Sequence, residues 1–252
     1  MLCCECVDVD CNDLMAESSP GTTLSWASNA SCLASDSPVR LCVLHMGKSF
    51  VVLEKVAGML SVPGRGEHKR DSVTTRVMEV FPDATGPVNV HRLDMETSGL
   101  MVFALHRHAH RVLSRQFMHR KTGKTYLAIL DGLVVEDEGE IDLPLIVDWE
   151  NRPRQMVCSE RGKKARTLYR VLRRDEERRR TTVEFRPITG RTHQLRVHAA
   201  TPREQGGLGC PILGDSLYGD ITKAPRLMLH ANMLAFWDPD DGVWRQFFCG
   251  GM

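Results

Sequence analysis

The chain has 252 residues, 42% hydrophobic and 26% charged. That is enough for one large or two small domains with a buried core, and it excludes a mainly disordered, collagenous or fibrous chain. No apolar run reaches the roughly 18 residues of a membrane span, so no membrane partner is expected. The net charge of +1 hides an asymmetry: residues 1–39 carry six acids and no Lys or Arg, so residues 40–252 hold all 33 basic groups against 26 acids. A basic body suits a polyanionic partner, although on charge alone an ordinary soluble surface explains it better. Nine cysteines, an odd number at irregular spacing without a secretory apolar segment ahead of them, predict a reducing, cytoplasmic setting rather than a disulfide framework. The cluster Cys3, Cys4, Cys6 and Cys11 lacks paired CxxC elements and predicts no metal.

In chain order, residues 1–38 show no helical or alternating period and read as an acidic leader. The ordered part is predicted as one domain over 39–252, beginning near Val39–Leu44. Phe50–Lys55 reads as a buried strand closed by a turn at Ala57-Gly58. Ser72 caps a predicted helix that runs to about Val80 and is stopped by Pro82. Leu100–Leu105 is an apolar strand. Over 105–121 the residues Leu105, Ala109, Val112, Leu113 and Phe117 form the stripe of an amphipathic helix. Its other faces are rich in His and Arg, either solvated or facing phosphate. His106 and His110 have metal-ligand spacing but lack an acidic third ligand, so zinc is not expected there. Thr125–Leu130, Leu168–Leu172, Thr181–Phe185 and Met228–Phe236 read as strands, the middle two joined by a charged tip at Arg173–Arg180. Strands outnumber helices and do not alternate with them, which predicts an α+β fold with a largely antiparallel sheet.

Two stretches concentrate polar groups where strands should end. His91-Arg92-Leu93-Asp94-Met95-Glu96-Thr97-Ser98-Gly99 sets a carboxylate beside an arginine and small hydroxyls, which suits either a catalytic loop or a structural turn. Ile188–His198 packs Arg191, His193, Gln194, Arg196 and His198 into a short span after a strand and before a predicted helix. Such groups suit phosphate or base contacts, and one arginine could hold a buried aspartate ionised.

Together these stretches resemble the RluA-type pseudouridine synthases. His91–Gly99 is similar to that family's HRLDxxTSG motif and Gly190–His198 to its GRTHQLRVH motif. Lys124-Thr125-Tyr126 matches a K-x-Y element, and Pro211–Asp215 with Tyr218-Gly219 matches PILGDxxYG. The segments Leu60–Arg65 and Leu143–Pro153 resemble the branch acting on both tRNA and large-subunit rRNA. The chain departs from the family pattern at Val56, where proline is usual, and in a longer Ala199–Gly209, where Pro202, Gly206 and Gly207 are expected to interrupt a helix. The 40 residues ahead of the motifs are too few and too polar for an S4 RNA-binding domain.

The resemblance implies a long, mixed, mainly antiparallel sheet with flanking helices and a central cleft, and a monomeric enzyme whose partner is RNA. It implies Asp94 as the catalytic carboxylate, Arg196 as the partner that keeps it ionised, and Tyr126 as a stacking and proton-moving group. Arg92 is implied to fill the space of the flipped-out uridine, with His91, Thr97, Arg191, His193 and Gln194 lining the substrate site or supporting its loops. No cofactor or metal is required, since both atoms joined in the product come from the substrate. The rival readings are a non-catalytic RNA-binding or chaperone protein of the same fold, which the presence of Asp94 disfavours, and a metal-dependent hydrolase, for which no converging ligand set is evident.

Overall fold

A computed structural model describes residues 31–33 and 41–250. Most of the predicted leader, with its Cys3–Cys11 cluster, lies outside the described residues. Ser31–Leu33, read from the sequence as leader, is a short strand (β1) paired antiparallel with Leu41–Met46 (β2).

Phe50–Lys55 (β3) has its predicted bounds, and all of its residues but Glu54 are buried. A strand covered on both faces needs apolar residues in succession, which is why it reads as a continuous run. Helix α1, Val73–Val80, starts where the Ser72 hydroxyl accepts the Thr75 N–H at 3.1 Å. Strand β4 (Ser98–Ala104) is wholly buried and leads into helix α2, Arg107–Met118. There follow β5 (Gly123–Asp131), β6 (Glu138–Asp142), β7 (Leu145–Val147), β8 (Gln155–Val157), β9 (Arg166–Asp175) and β10 (Arg180–Pro187). Helix α3 (Gln194–Ala200) and strands β11 (Leu229–Trp237) and β12 (Trp244–Phe248) complete the fold. The predicted interruption after Ala200 is present: α3 stops there, a 3-10 turn covers Arg203–Gln205, and Gly206 closes it at φ +89°.

The stripe on α2 faces the sheet as predicted, with Phe117 packed beside Ala109 and Leu113 in one apolar core. Ala109 and Leu113 are buried, but Val112 is only half-buried and Gln116 takes a place against the sheet. The Gln116 amide donates to the Trp237 carbonyl at 2.7 Å and accepts the Trp237 N–H at 2.8 Å, tying the helix to β11. Two hydrogen bonds satisfy the buried amide and set the rotation of the helix.

One sheet runs in the order β1-β2-β3-β4-β11-β5-β10-β9-β6, with β12 also paired to β11, and β7–β8 form a separate hairpin. Every pairing is antiparallel except β4 with β11, where Ser98 and Gly99 lie beside His230 and Ala231. A side chain on Gly99, at φ +115°, would meet the Ala231 backbone at 2.4 Å, so this junction requires glycine. β4 borders the first part of β11 and β12 borders Met233–Trp237, so the two share one edge of that strand. The fold is thus α+β with a mainly antiparallel sheet. Among the described residues, no helix is long and apolar enough to cross a membrane.

Three large apolar cores follow, beside a small cluster of Leu145, Ala165 and Val197. One packs β5, β9 and β10 with α3; a second packs α1 against β2–β4; a third, on the other face, packs α2 against β3, β4, β11 and β12. Tyr126 on β5 touches both of the first two cores and marks the seam between them.

Candidate active site

A cleft of about 690 Å³ opens at that seam, and all nine site residues predicted from the sequence line it: His91, Arg92, Asp94, Thr97, Tyr126, Arg191, His193, Gln194 and Arg196. They come from the 91–97 loop before β4, from β5, and from the loop entering α3. Lys124, Met233 and Trp244 also face it.

The loop bearing Asp94 is held on both sides of that residue. Ser61 clamps Leu93, accepting its N–H at 3.0 Å and donating to its carbonyl at 2.6 Å. On the other side the Met95 carbonyl accepts the Lys55 ammonium at 2.7 Å and the Gly58 N–H at 2.9 Å. Lys55 also donates to the Val56 and Met59 carbonyls, at 2.9 and 2.8 Å, so all three of its protons are used. Burial lowers Lys55 to about 8, with Glu96 and Asp94 pulling the other way. Neither Lys55 nor Ser61 stood out as a site residue in the sequence, because each acts on backbone carbonyls and amides that have no side-chain signature. The Asp94 backbone carbonyl accepts the Thr97 N–H at 3.1 Å, closing the turn, while its carboxylate has no hydrogen-bond donor among the described residues.

The expected direct partnership of Arg196 with Asp94 is corrected by the structure. Arg196 donates through Nε and Nη2 to Asp215 at 2.8 and 2.6 Å, and both side chains are buried. Asp215 also accepts the Leu217 and Tyr218 backbone N–H groups. A fork-to-fork pair is the geometry a guanidinium and a carboxylate favour, and it leaves Arg196 acting on Asp94 through its field.

Two residues placed among possible substrate contacts are supports. The Gln194 amide donates to the Arg166 carbonyl and the Thr167 hydroxyl, and its oxygen accepts from Thr189 and the Arg191 N–H, so its polar atoms are spent within the protein. His91 Nε2 accepts the Val102 N–H at 3.0 Å while its ring stacks on Phe117. Burial, aided by Lys124, lowers His91 to about 3, so it is neutral. His193 sits at φ 54° with Nδ1 2.9 Å from the Tyr218 hydroxyl. Arg191 spends one N–H on the Lys164 carbonyl at 3.0 Å, and Arg92 is exposed at the cleft mouth. Burial, and then the Asp94 charge, push the Tyr126 phenol well above its ordinary range, so it stays protonated. Of the pair flagged for spacing, His106 is exposed and His110 Nε2 donates to the Asn89 carbonyl at 3.2 Å.

A carboxylate without a donor among the described residues, a protonated phenol and a rim of cations define a site for acid–base or nucleophilic chemistry on a polyanion. The RNA pseudouridylate synthase family matches residues 49–201. The dual-specificity RNA pseudouridine synthase RluA of Yersinia pestis is 48% identical over 212 residues, 83% of this chain and 98% of the relative. The protein of the same name from Escherichia coli K12 is 46% identical over 205 residues, 80% of this chain and 89% of its own. Among solved structures, human RNA Pseudouridylate Synthase Domain Containing 1 superposes with a TM-score of 0.68 at 27% identity, covering 87% of this chain and 86% of that one. The chain therefore belongs to the RNA pseudouridylate synthase family, in its RluA-type branch, and is an isomerase that makes pseudouridine from uridine in RNA.

Proposed function

We propose that Asp94, Tyr126 and Arg196 carry this isomerisation, and that the targets are uridines in tRNA, the anticodon stem-loop first, and in large-subunit rRNA. The observation that supports the assignment is the Asp94 carboxylate, without a donor among the described residues, in a cleft with a protonated Tyr126. In the reaction the N1–C1′ bond breaks, the uracil turns, a C5–C1′ bond forms, the C5 proton leaves and N1 takes one up. Asp94 attacks the sugar or removes a proton, Tyr126 stacks on uracil and moves the C5 proton, and Arg196, held by Asp215, places its positive charge beneath the cleft. Arg92, at the mouth, takes the space of the flipped nucleotide, and Arg191 contacts phosphate with its remaining donors. Flipping costs a few kcal/mol, least for a base already unstacked in a loop, which favours hairpin targets.

The relatives' names supply the dual specificity, and the compact basic body fits local recognition of a loop. We place the protein in the cytoplasm as a monomer, with the acidic leader dispensable for chemistry. The test is to map pseudouridines by carbodiimide-blocked reverse transcription in total RNA with and without the protein. Signals gained in the tRNA anticodon arm and in large-subunit rRNA are expected. An anticodon stem-loop left inert while ribosomal particles are modified overturns the tRNA assignment.

A further inference from the structure

On the face of the sheet turned away from the Asp94 loop, side chains from β2, β3, β11 and the segment after β12 converge. Strand alternation places Glu54 opposite in direction to Lys55, on the side of Phe50 and Val52 and the third core. Cys42 faces Glu54 directly in the β2–β3 register, so both side chains leave the sheet on that side. His230 is fully buried, with Nε2 3.1 Å from the Cys249 sulfur and Nδ1 2.8 Å from the Ser98 hydroxyl. One donor atom each from Glu54, His230 and Cys249 lies within 4.8 Å of the others, the one such trio among the described residues. Cys42 stands beside Glu54 on the same side of the sheet but outside this trio, so its side chain has to turn in to add a fourth donor.

None of these groups has a part in the uridine chemistry. We propose that Glu54, His230 and Cys249, with Cys42 as the fourth donor, form a structural zinc site that ties β2, β3 and β11 to the end of the chain. Mixed sulfur, nitrogen and carboxylate donors suit zinc, and four protein ligands leave no open position for a substrate. Zinc bond lengths place tetrahedral donors about 3.5 Å apart, so the trio closes in from within 4.8 Å while the His230–Cys249 pair, at 3.1 Å, opens slightly. The Ser98 hydroxyl is placed to accept Nδ1–H, fixing the tautomer that offers Nε2 to the metal. Burial raises both the Glu54 carboxyl and the Cys249 thiol above their usual ranges, with Arg226 opposing at Glu54. Zinc binding would replace one proton on each thiol that ligates.

The full-length, reduced, chelator-stripped protein is titrated with cobalt(II) as a spectroscopic probe and then with zinc. Tetrahedral, thiolate-ligated cobalt that zinc displaces is expected, together with a zinc-dependent rise in Tm. Cys249→Ser should lose one equivalent of that signal and the rise in Tm. Glu54→Gln, which keeps shape and both thiols, should weaken binding by about tenfold or more. Pseudouridine formation by both metal-free variants verifies that they are folded. Absence of thiolate-ligated cobalt in the parent chain overturns the proposal. So does a signal unchanged in Cys249→Ser, which would place the thiolates among Cys3, Cys4, Cys6 and Cys11, or an affinity unchanged in Glu54→Gln.

Discussion

Arg196 and Asp215 form a bidentate ion pair, at 2.8 and 2.6 Å, that is closed to solvent beneath the cleft. It spends the arginine's best hydrogen-bonding geometry away from Asp94, so Asp94 receives positive potential while its oxygens stay open to substrate. Removing either partner leaves an uncompensated buried charge, at a cost of about 3–5 kcal/mol. Asp215→Ala and Arg196→Ala should each show this loss in urea unfolding. The paired Arg196→Met/Asp215→Leu change should cost less than the sum of the two. A loss under about 1 kcal/mol for either single change contradicts a buried, desolvated pair.

Asp94→Asn keeps the size of the side chain and removes its charge. Turnover should vanish, while RNA affinity stays level or rises because a negative group near phosphate is gone. Single-turnover tritium release from 5-³H-uridine RNA, run beside filter binding, separates the two effects. Appreciable release, once deamidation back to aspartate is excluded, removes Asp94 from the chemistry.

Tyr126→Phe should retain RNA binding through stacking on the ring but lose most turnover if the hydroxyl moves the C5 proton. Since the phenol stays protonated, the rate should show no break from Tyr126 ionisation between pH 7 and 9 in the parent protein. Unchanged release by the phenylalanine variant would confine Tyr126 to packing at the seam.

Lys55→Met removes three hydrogen bonds to carbonyls, including the one at Met95 next to Asp94. As a positioning residue, Lys55 should affect kcat far more than KM, with stability falling by about 1–3 kcal/mol as the carbonyls lose a charged partner. Equal changes in kcat and KM would point to a loss of RNA binding instead.

Histidines held neutral by burial make the fold acid-sensitive. His91 is lowered to about 3 and His198 to about 4, both chiefly by burial. The unfolded chain takes up protons below its ordinary histidine pKa of about 6.5 and the folded chain does not. Stability is therefore complete above that pH and falls as pH drops toward 4, by up to about 1.4 kcal/mol per unit for each histidine. Urea midpoints between pH 6.5 and 4.5 should slope downward with acid, and His198→Asn should make the slope shallower. An equal slope in that variant would assign the acid sensitivity to other groups.

The sequence showed most of this arrangement wherever residue type alone carries the signal. The continuous apolar run of β3 and the Ser72 cap of α1 are local features, and both elements stand where expected. Three of the four motifs brought all nine candidate residues to one cleft. What escaped depends on partners far along the chain. Glu138–Asp142 has almost no apolar content and becomes a strand because β9 offers an edge. The burial of Gln116 in α2 depends on its finding the Trp237 backbone, 121 positions away. Asp215 lay within a recognised motif, yet its hold on Arg196 needed the fold to bring α3 beside it.

The sharing of one β11 edge by β4 and β12 has a consequence for self-association. β12 occupies the hydrogen-bonding positions along Met233–Trp237, so a chain cut before Trp244 would leave a row of unmet amides and carbonyls beside Leu234 and Phe236, both now buried. Such a row is a template for a strand from another molecule. A chain shortened in this way should gather into oligomers by intermolecular strand addition, with the five-residue β12 acting as a built-in guard against aggregation.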